Sequence, residues 1–387
     1  MTYFDTNEEL FQVKTYSKMP LSVERGYGSW LYTKDGGRFL DLYGGHAVSG
    51  TGHCHPRVVA EIKAQAEKLL FYSNTVYLPV RAKAAASLIA VSPETLRRLF
   101  FVNSGSEANE NAIKIARQVK ARPGIISFEG GFHGRTYGAA SATGIPKYRK
   151  LVEPKVPDHY IVPFEGLDEI RSLIKSSRIS GIILEPIQSL AGIRSFSLQF
   201  LHELRMLCDE HDVCLIFDEV QTGMGRVGDF FFAGKHGIYP DMITTGKAMA
   251  SGIPMGVVLM TDKIADDIKC GDLGSTFGGG PVASAALDAT ISVIRDEELL
   301  RNVRVNGAYL AWELRKIPCV KEVRGEGFLI GIKTDRPASE YQKRLFDAKI
   351  IVGTSEDPYV SRLLPPLTLN REEIDYFLSA LRNIELK

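Results

Sequence analysis

Between about Leu99 and Met260, short apolar runs alternate with stretches of helical spacing, and no other feature constrains the fold of this chain as strongly. The runs are Leu99 to Val102, Ile125 to Phe128, Tyr160 to Val162, Gly181 to Leu184, Val213 to Phe217, Met242 to Thr245 and Met255 to Met260. They are of the fully buried type, without the polar alternation of a half-exposed strand. Strands read that way when helices cover both faces, so the pattern predicts an α/β fold built on a mostly parallel sheet. Between the runs, Ala108, Ala112, Ile115, Ala116 and Val119, and later Phe200, Leu201, Leu204, Leu207 and Cys208, fall at helical spacing and form core-facing stripes.

Beyond Pro281 the pattern changes to helix, strand and helix, ending in Glu372 to Ile384, and reads as a smaller α+β lobe. A chain of 387 residues is long enough for two such lobes, and a cleft between them is the expected site. Internal repeats and low-complexity linkers are absent from the sequence. With 47 basic and 46 acidic residues, the net charge of +1 offers no general field for nucleic acid or an anionic membrane. The opening Met1-Thr2-Tyr3-Phe4-Asp5 does not resemble a signal peptide, and no apolar run approaches membrane-spanning length. Five cysteines without CxxC spacing suit reduced thiols, so a cytoplasmic location is expected.

Several segments could carry chemistry. Ser104 and Glu107 have capping-box spacing where a strand gives way to a helix. There Gly105 permits close backbone approach and Ser106 adds a hydroxyl, so the segment is either a phosphate site or only a well-capped helix. Asp218 ends a buried run, at the strand edge where open α/β sheets bind ligands. A carboxylate there requires a cation or donors, which a protonated ring nitrogen or an ordinary cap could supply. Lys247 follows another buried run, and burial would favour the neutral amine that attacks an aldehyde. Gly223 to Gly228 matches GxGxxG, but too far from its strand and without an obvious helix after it. His53-Cys54-His55 lacks a third ligand at useful spacing and predicts a turn before Pro56, so no metal is expected. Gly278-Gly279-Gly280-Pro281 reads as a turn before a helix, with Ser275 and Thr276 as neighbouring donors.

Taken together, Asn103-Ser104-Gly105-Ser106-Glu107-Ala108-Asn109-Glu110, Phe132-His133-Gly134-Arg135-Thr136, Asp218-Glu219-Val220-Gln221-Thr222-Gly223 and Thr245-Gly246-Lys247 resemble the class III aminotransferases. The likeness runs from about Tyr16 to Arg362-Leu363-Leu364-Pro365-Pro366. Leu42-Tyr43-Gly44-Gly45-His46-Ala47-Val48 and Phe71-Tyr72-Ser73-Asn74 bring it nearest to the N-acylornithine aminotransferases. The resemblance implies a fold-type I, pyridoxal 5'-phosphate-dependent homodimer. Its large domain, with a mostly parallel seven-stranded sheet, would span residues 54–275, and its small α+β domain would combine 1–53 with 276–387.

By position, the resemblance makes Lys247 the Schiff-base lysine and Asp218 the partner of the ring nitrogen. Gly105 and Ser106 form the phosphate cup, joined by Thr276 from the neighbouring subunit. Phe132 and Val220 sandwich the ring, Gln221 approaches its phenolic oxygen, and Glu219 belongs to the same cofactor-binding run. Arg135 binds substrate carboxylate, with Tyr16, Ser275 and Arg362 at further pocket positions. Leu190 departs from many relatives, including ornithine aminotransferases, which carry a glutamate there that pairs with the arginine matching Arg362.

The expected reaction passes the terminal amine of N-acetylornithine, or a close N-acyl relative, to 2-oxoglutarate, in arginine biosynthesis. Competing expectations are activity on ornithine, 4-aminobutyrate or carrier-bound aminoadipate semialdehyde, a nicotinamide oxidoreductase, and a non-catalytic binding protein. Retention of Lys247 and Asp218 weighs against the last.

Overall fold

The computed structural model describes residues 3–385, with side chains described from Asn7 to Ile384; Met1 and Thr2, used above in reading the start of the chain, lie outside the described residues. All seven apolar runs form strands of one sheet: β1 (Arg98–Val102), β2 (Gly124–Phe128), β3 (His159–Val162), β4 (Ile179–Leu184), β5 (Cys214–Asp218), β6 (Met242–Thr245) and β7 (Gly256–Met260). Their order is β1-β7-β6-β5-β4-β2-β3. Only β7 runs against its neighbours, pairing antiparallel with both β6 and β1.

Strand periodicity decides what each face buries. Along β5, Cys214 and Ile216 enter the apolar cluster beneath helix α1 (Gly105–Lys120), while Leu215 and Phe217 enter the larger cluster on the other face. Along β7, Val258 and Met260 take the first side, and Val257 and Leu259 the second. Both sides are dry, which is why these strands carry no polar alternation. Helix α1 lays Ala108, Ala112, Ile115 and Ala116 on the sheet, and the helix Leu198–Glu210 buries all five residues of its predicted stripe.

The two ends of the chain are knitted together. Strands Val23–Tyr27, Trp30–Thr33 and Arg38–Asp41 form an antiparallel sheet that Ile350–Ile351 extends by pairing parallel to Arg38–Asp41. Trp30 Nε1 donates to the Glu373 carboxylate at 2.8 Å, and Leu364 N–H to the Leu42 carbonyl at 2.7 Å. A second antiparallel sheet holds Val320–Glu326, Leu329–Thr334, Val360–Leu363 and Gly353–Thr354, in that order. The helix Pro281–Asp296 begins with proline after the triple-glycine turn and packs on helices Pro56–Lys68 and Pro79–Val91. Among the described residues no helix is long and apolar enough to cross a membrane.

Candidate active site

The parallel strands all deliver their carboxyl ends to one edge, and the predicted residues gather there. In β5 the alternation Cys214, Ile216, Asp218 carries the Asp218 side chain to the α1 face, and in β6 the alternation Met242, Thr244 does the same. Asp218 and Thr244 are register partners. Asn109, one turn into α1, reaches both. Its Nδ2 donates to Asp218 Oδ2 at 2.7 Å and to the His133 carbonyl at 2.7 Å, while its Oδ1 accepts from Thr244 Oγ1 at 2.6 Å. His133 Nδ1 lies 2.8 Å from the same Asp218 oxygen, and Asp218 Oδ1 accepts the Val220 N–H at 3.1 Å. All four side chains are buried. A carboxylate removed from water in this way is held by donors on three elements, which fix its orientation.

Lys247 follows β6 in the left-handed region at φ 47°. The residue keeps some exposure, but its amine end is enclosed. Burial pushes the ammonium below the ordinary lysine range; Asp218 and Glu185 oppose that shift, and Arg362 and Arg226 add to it. Glu185, directly after β4, accepts the Phe132 N–H at 2.8 Å, and burial followed by repulsion from Asp218 raises its carboxyl above the usual range.

The predicted cap at the start of α1 is formed in one arm: Ser104 Oγ accepts the Glu107 N–H at 3.1 Å, whereas Glu107 reaches one residue beyond the cap and accepts the Asn103 N–H at 3.0 Å. The N–H groups of Gly105 and Ser106 have no partner within the helix, as the first turn requires. A Cβ on Gly105 would stand 2.7 Å from both Val220 methyls, so only glycine lets Val220 close over this turn. Ser106 Oγ accepts the Arg135 N–H at 3.1 Å, tying the cup to the Phe132-to-Thr136 loop. The Arg135 guanidinium lies over the Tyr148 ring at 4.7 Å, and Tyr148 meets Phe132 edge-on at 5.3 Å.

These groups fit the phosphate, ring and aldehyde of pyridoxal 5'-phosphate. The cradle at Gly105 suits the phosphate, Asp218 provides an oriented anion, and Lys247 provides an amine. Gln221 Oε1, Thr245 Oγ1 and His133 Nε2 are buried without a recorded partner, so the same edge presents polar atoms with bonds still to make.

Other expected residues fall elsewhere. Glu219, the residue after Asp218, turns to the opposite side, where its carboxylate accepts from Phe232 N–H at 2.6 Å, Ala233 N–H at 2.9 Å and Thr222 Oγ1 at 2.9 Å. It thereby satisfies the first two N–H groups of the helix Phe232–His236. Tyr16 is 76% exposed on an N-terminal segment whose ion pairs are local. Ser275 is pinned at the site edge by Asn103 Nδ2 at 3.3 Å, and Thr276 is exposed on this single chain. Arg362 is buried, with three neutral acceptors. Leu190 is half-buried, and its carbonyl accepts the Glu356 N–H at 2.9 Å.

The GxGxxG segment opens no dinucleotide-type helix. Instead, the Arg226 side chain is fully buried and donates to the Phe328 and Pro365 carbonyls, bracing the C-terminal sheet against the central one. His53 and His55 pair with Asp41 and Glu297, and no metal-holding group occurs among the described residues. Sequence reasoning gave no role to Asn109 or His133. A polar residue on the buried stripe of α1 was the available signal for Asn109.

Replacing Asn109 with leucine removes the amide from three buried partners and is expected to cost at least about 1–3 kcal/mol in a denaturant titration. Unchanged stability would show that the partners do not depend on it. In cofactor-stripped protein, burial disfavours the Lys247 ammonium, so its labelling by an acylating reagent should reach half-maximum below pH 10.5, the ordinary lysine value. A midpoint at or above that value would contradict the assignment.

The chain matches the model for aminotransferase class III over residues 11–384. It is 39% identical to the acetylornithine aminotransferase of Methanopyrus kandleri over 373 residues, covering 96% of each chain. It is 40% identical to that of Agrobacterium fabrum over 370 residues, covering 93% of this chain and 92% of the relative. Among solved structures, the ornithine aminotransferase of Toxoplasma gondii superposes with a TM-score of 0.93 at 27% identity, over 99% of this chain and 94% of that one. With Lys247 and Asp218 at one sheet edge and this match along nearly its whole length, the chain belongs to the class III aminotransferases.

Proposed function

We propose that the protein transfers the terminal amino group of N2-acetylornithine, or of a close N-acylornithine, to 2-oxoglutarate, giving N-acetylglutamate semialdehyde and glutamate. The observation that carries the substrate choice is the pocket loop ending at Ser189 and Leu190. It meets Arg362 with a hydroxyl at 3.2 Å, and among the described residues Arg362 forms no ion pair with a carboxylate. An apolar Leu190 tolerates an acylated amine better than a free ammonium, and an unneutralised guanidinium suits a substrate carboxylate. The names of the relatives from Methanopyrus kandleri and Agrobacterium fabrum agree with this reading. Arginine biosynthesis is its natural setting.

Pyridoxal phosphate, when bound, supplies an electron sink for the bond broken at the substrate carbon. The residues do the rest. Gly105 and Ser106 hold the phosphate at the helix start, and Phe132 and Val220 flank the ring. Asp218, oriented by Asn109 and His133, is the counter-charge for a proton on the ring nitrogen. Lys247 Nζ, whose neutral amine is favoured by burial, would take the proton from the substrate carbon and deliver it to the carbon of the cofactor's aldehyde group. Arg135 and Arg362 orient carboxylates, with Tyr16 and Ser275 at the pocket edge.

The working unit we propose is a homodimer in which Thr276 of a second copy completes the phosphate cup. Support comes from the exposed rings beside it: Phe277 is 63% exposed and lies tilted against Phe71 at 5.0 Å, and Tyr72 and Tyr77 are also exposed. The small domain we read from both chain ends is supported by the pairing of Arg38–Asp41 with Ile350–Ile351. A cytoplasmic location agrees with five cysteines and no disulfide among the described residues.

A single-turnover absorbance assay with N-acetylornithine, N-succinylornithine and ornithine tests the reading. One acylated substrate should convert the cofactor fastest, and Leu190→Glu should lower the ratio of acylornithine to ornithine activity. Conversion by ornithine alone would overturn the substrate choice.

A further inference from the structure

Arg362 sits on the strand Val360–Leu363 and is only 6% exposed, yet each of its recorded partners is neutral. Nε donates to the Thr354 carbonyl at 2.7 Å, Nη1 to Ser189 Oγ at 3.2 Å, and Nη2 to the Tyr43 hydroxyl at 2.6 Å. A guanidinium has five N–H donors, so two remain for a ligand. A buried cation without a counter-charge favours an anion.

The partner with the most elaborate support is Tyr43. Asp41 accepts the N–H groups of Tyr43 and Gly44, both at 2.9 Å, and so fixes the turn that carries the ring. The next four residues, Gly44 to Ala47, all have positive φ; the two glycines adopt it freely, but His46 and Ala47 are strained there and the surroundings must enforce it. Across the sheet, Gly353 is the register partner of Arg362, and a Cβ there would lie 2.0 Å from the Tyr43 ring. The absence of a side chain at 353 therefore makes the slot in which the ring lies beside Arg362. The Tyr43 hydroxyl also lies 2.9 Å from His46 Nδ1, so it accepts from Arg362 while donating to the imidazole. Burial raises the Tyr43 phenol above its ordinary range, which keeps it a hydroxyl.

We propose that Tyr43 is a positioning residue for substrate carboxylate: seated in the slot left by Gly353, it orients the Arg362 guanidinium without neutralising it, leaving the full charge to the incoming anion. A carboxylate in its place would aim the guanidinium equally well but would compete with the ligand. This inference rests on the aminotransferase reading above, yet it concerns carboxylate capture and can be tested apart from turnover.

The test is calorimetric binding of succinate, an unreactive dicarboxylate, to the cofactor-loaded protein. Tyr43→Phe keeps the ring and removes the hydroxyl, and should weaken succinate binding by about tenfold, the size of one hydrogen bond to a charged group. In an Arg362→Lys background the same change should add less than about twofold, because the effect passes through the guanidinium. Gly353→Ala, which displaces the ring, should weaken binding as Tyr43→Phe does and serves if that variant folds poorly. In the half-reaction with glutamate, Tyr43→Phe should raise KM while leaving the maximal rate within about twofold.

Wild-type affinity retained in Tyr43→Phe, an equal loss in both backgrounds, a fall in maximal rate without a change in KM, or no succinate binding by the wild type would each overturn the proposal. Tyr43-dependent succinate binding by a protein that does not react with glutamate would support it while overturning the aminotransferase reading.

Discussion

The site depends on a single buried carboxylate being held still. Asp218 lies at the end of a strand with protein on both faces, where an unsupported charge would be costly. Its support comes from three directions: the amide of Asn109 on the helix above, the imidazole of His133 on the loop after β2, and the N–H of Val220 on its own turn. Each supporting residue neighbours one to which we assign a cofactor contact. Asn109 follows Gly105 by one helical turn, His133 adjoins Phe132, and Val220 closes over Gly105. Fixing the carboxylate thus also fixes Gly105, Phe132 and Val220, the proposed cup and ring flanks.

Charge around Lys247 shows the same economy. Asp218 and Glu185 favour its ammonium, whereas burial, Arg362 and Arg226 favour the amine, and burial prevails. The arginines come from different parts of the fold: Arg226 braces the C-terminal sheet through backbone carbonyls, and Arg362 belongs to that sheet. Joining the two chain ends to the central layer therefore sets the electrostatics of the site as well as its shape.

Much of this was legible in the sequence because it is local. Buried strands announce themselves by unbroken apolar runs, and all seven were placed within a residue or two of their observed ends. Asp218 and Lys247 could be found as the polar residues that terminate such runs. The separation of Glu219 from Asp218 is not visible when the motif is read as a block, because strand alternation sends neighbouring side chains to opposite sides. The pairing of Tyr43 with Arg362 joins residues 319 positions apart and leaves no periodic trace. Tyr16 and Thr276 are exposed on the single chain, so their expected roles depend on a surface that a second copy would supply.

The central claim is that Asp218, oriented by Asn109 and His133, keeps a proton on the cofactor's ring nitrogen. Nitrogen-15 magnetic resonance of protein loaded with ring-labelled pyridoxal phosphate tests it most directly. The account predicts a pyridinium chemical shift in the wild type through neutral pH, moving toward that of neutral pyridine in Asp218→Asn. A neutral-pyridine shift in the wild type would contradict it.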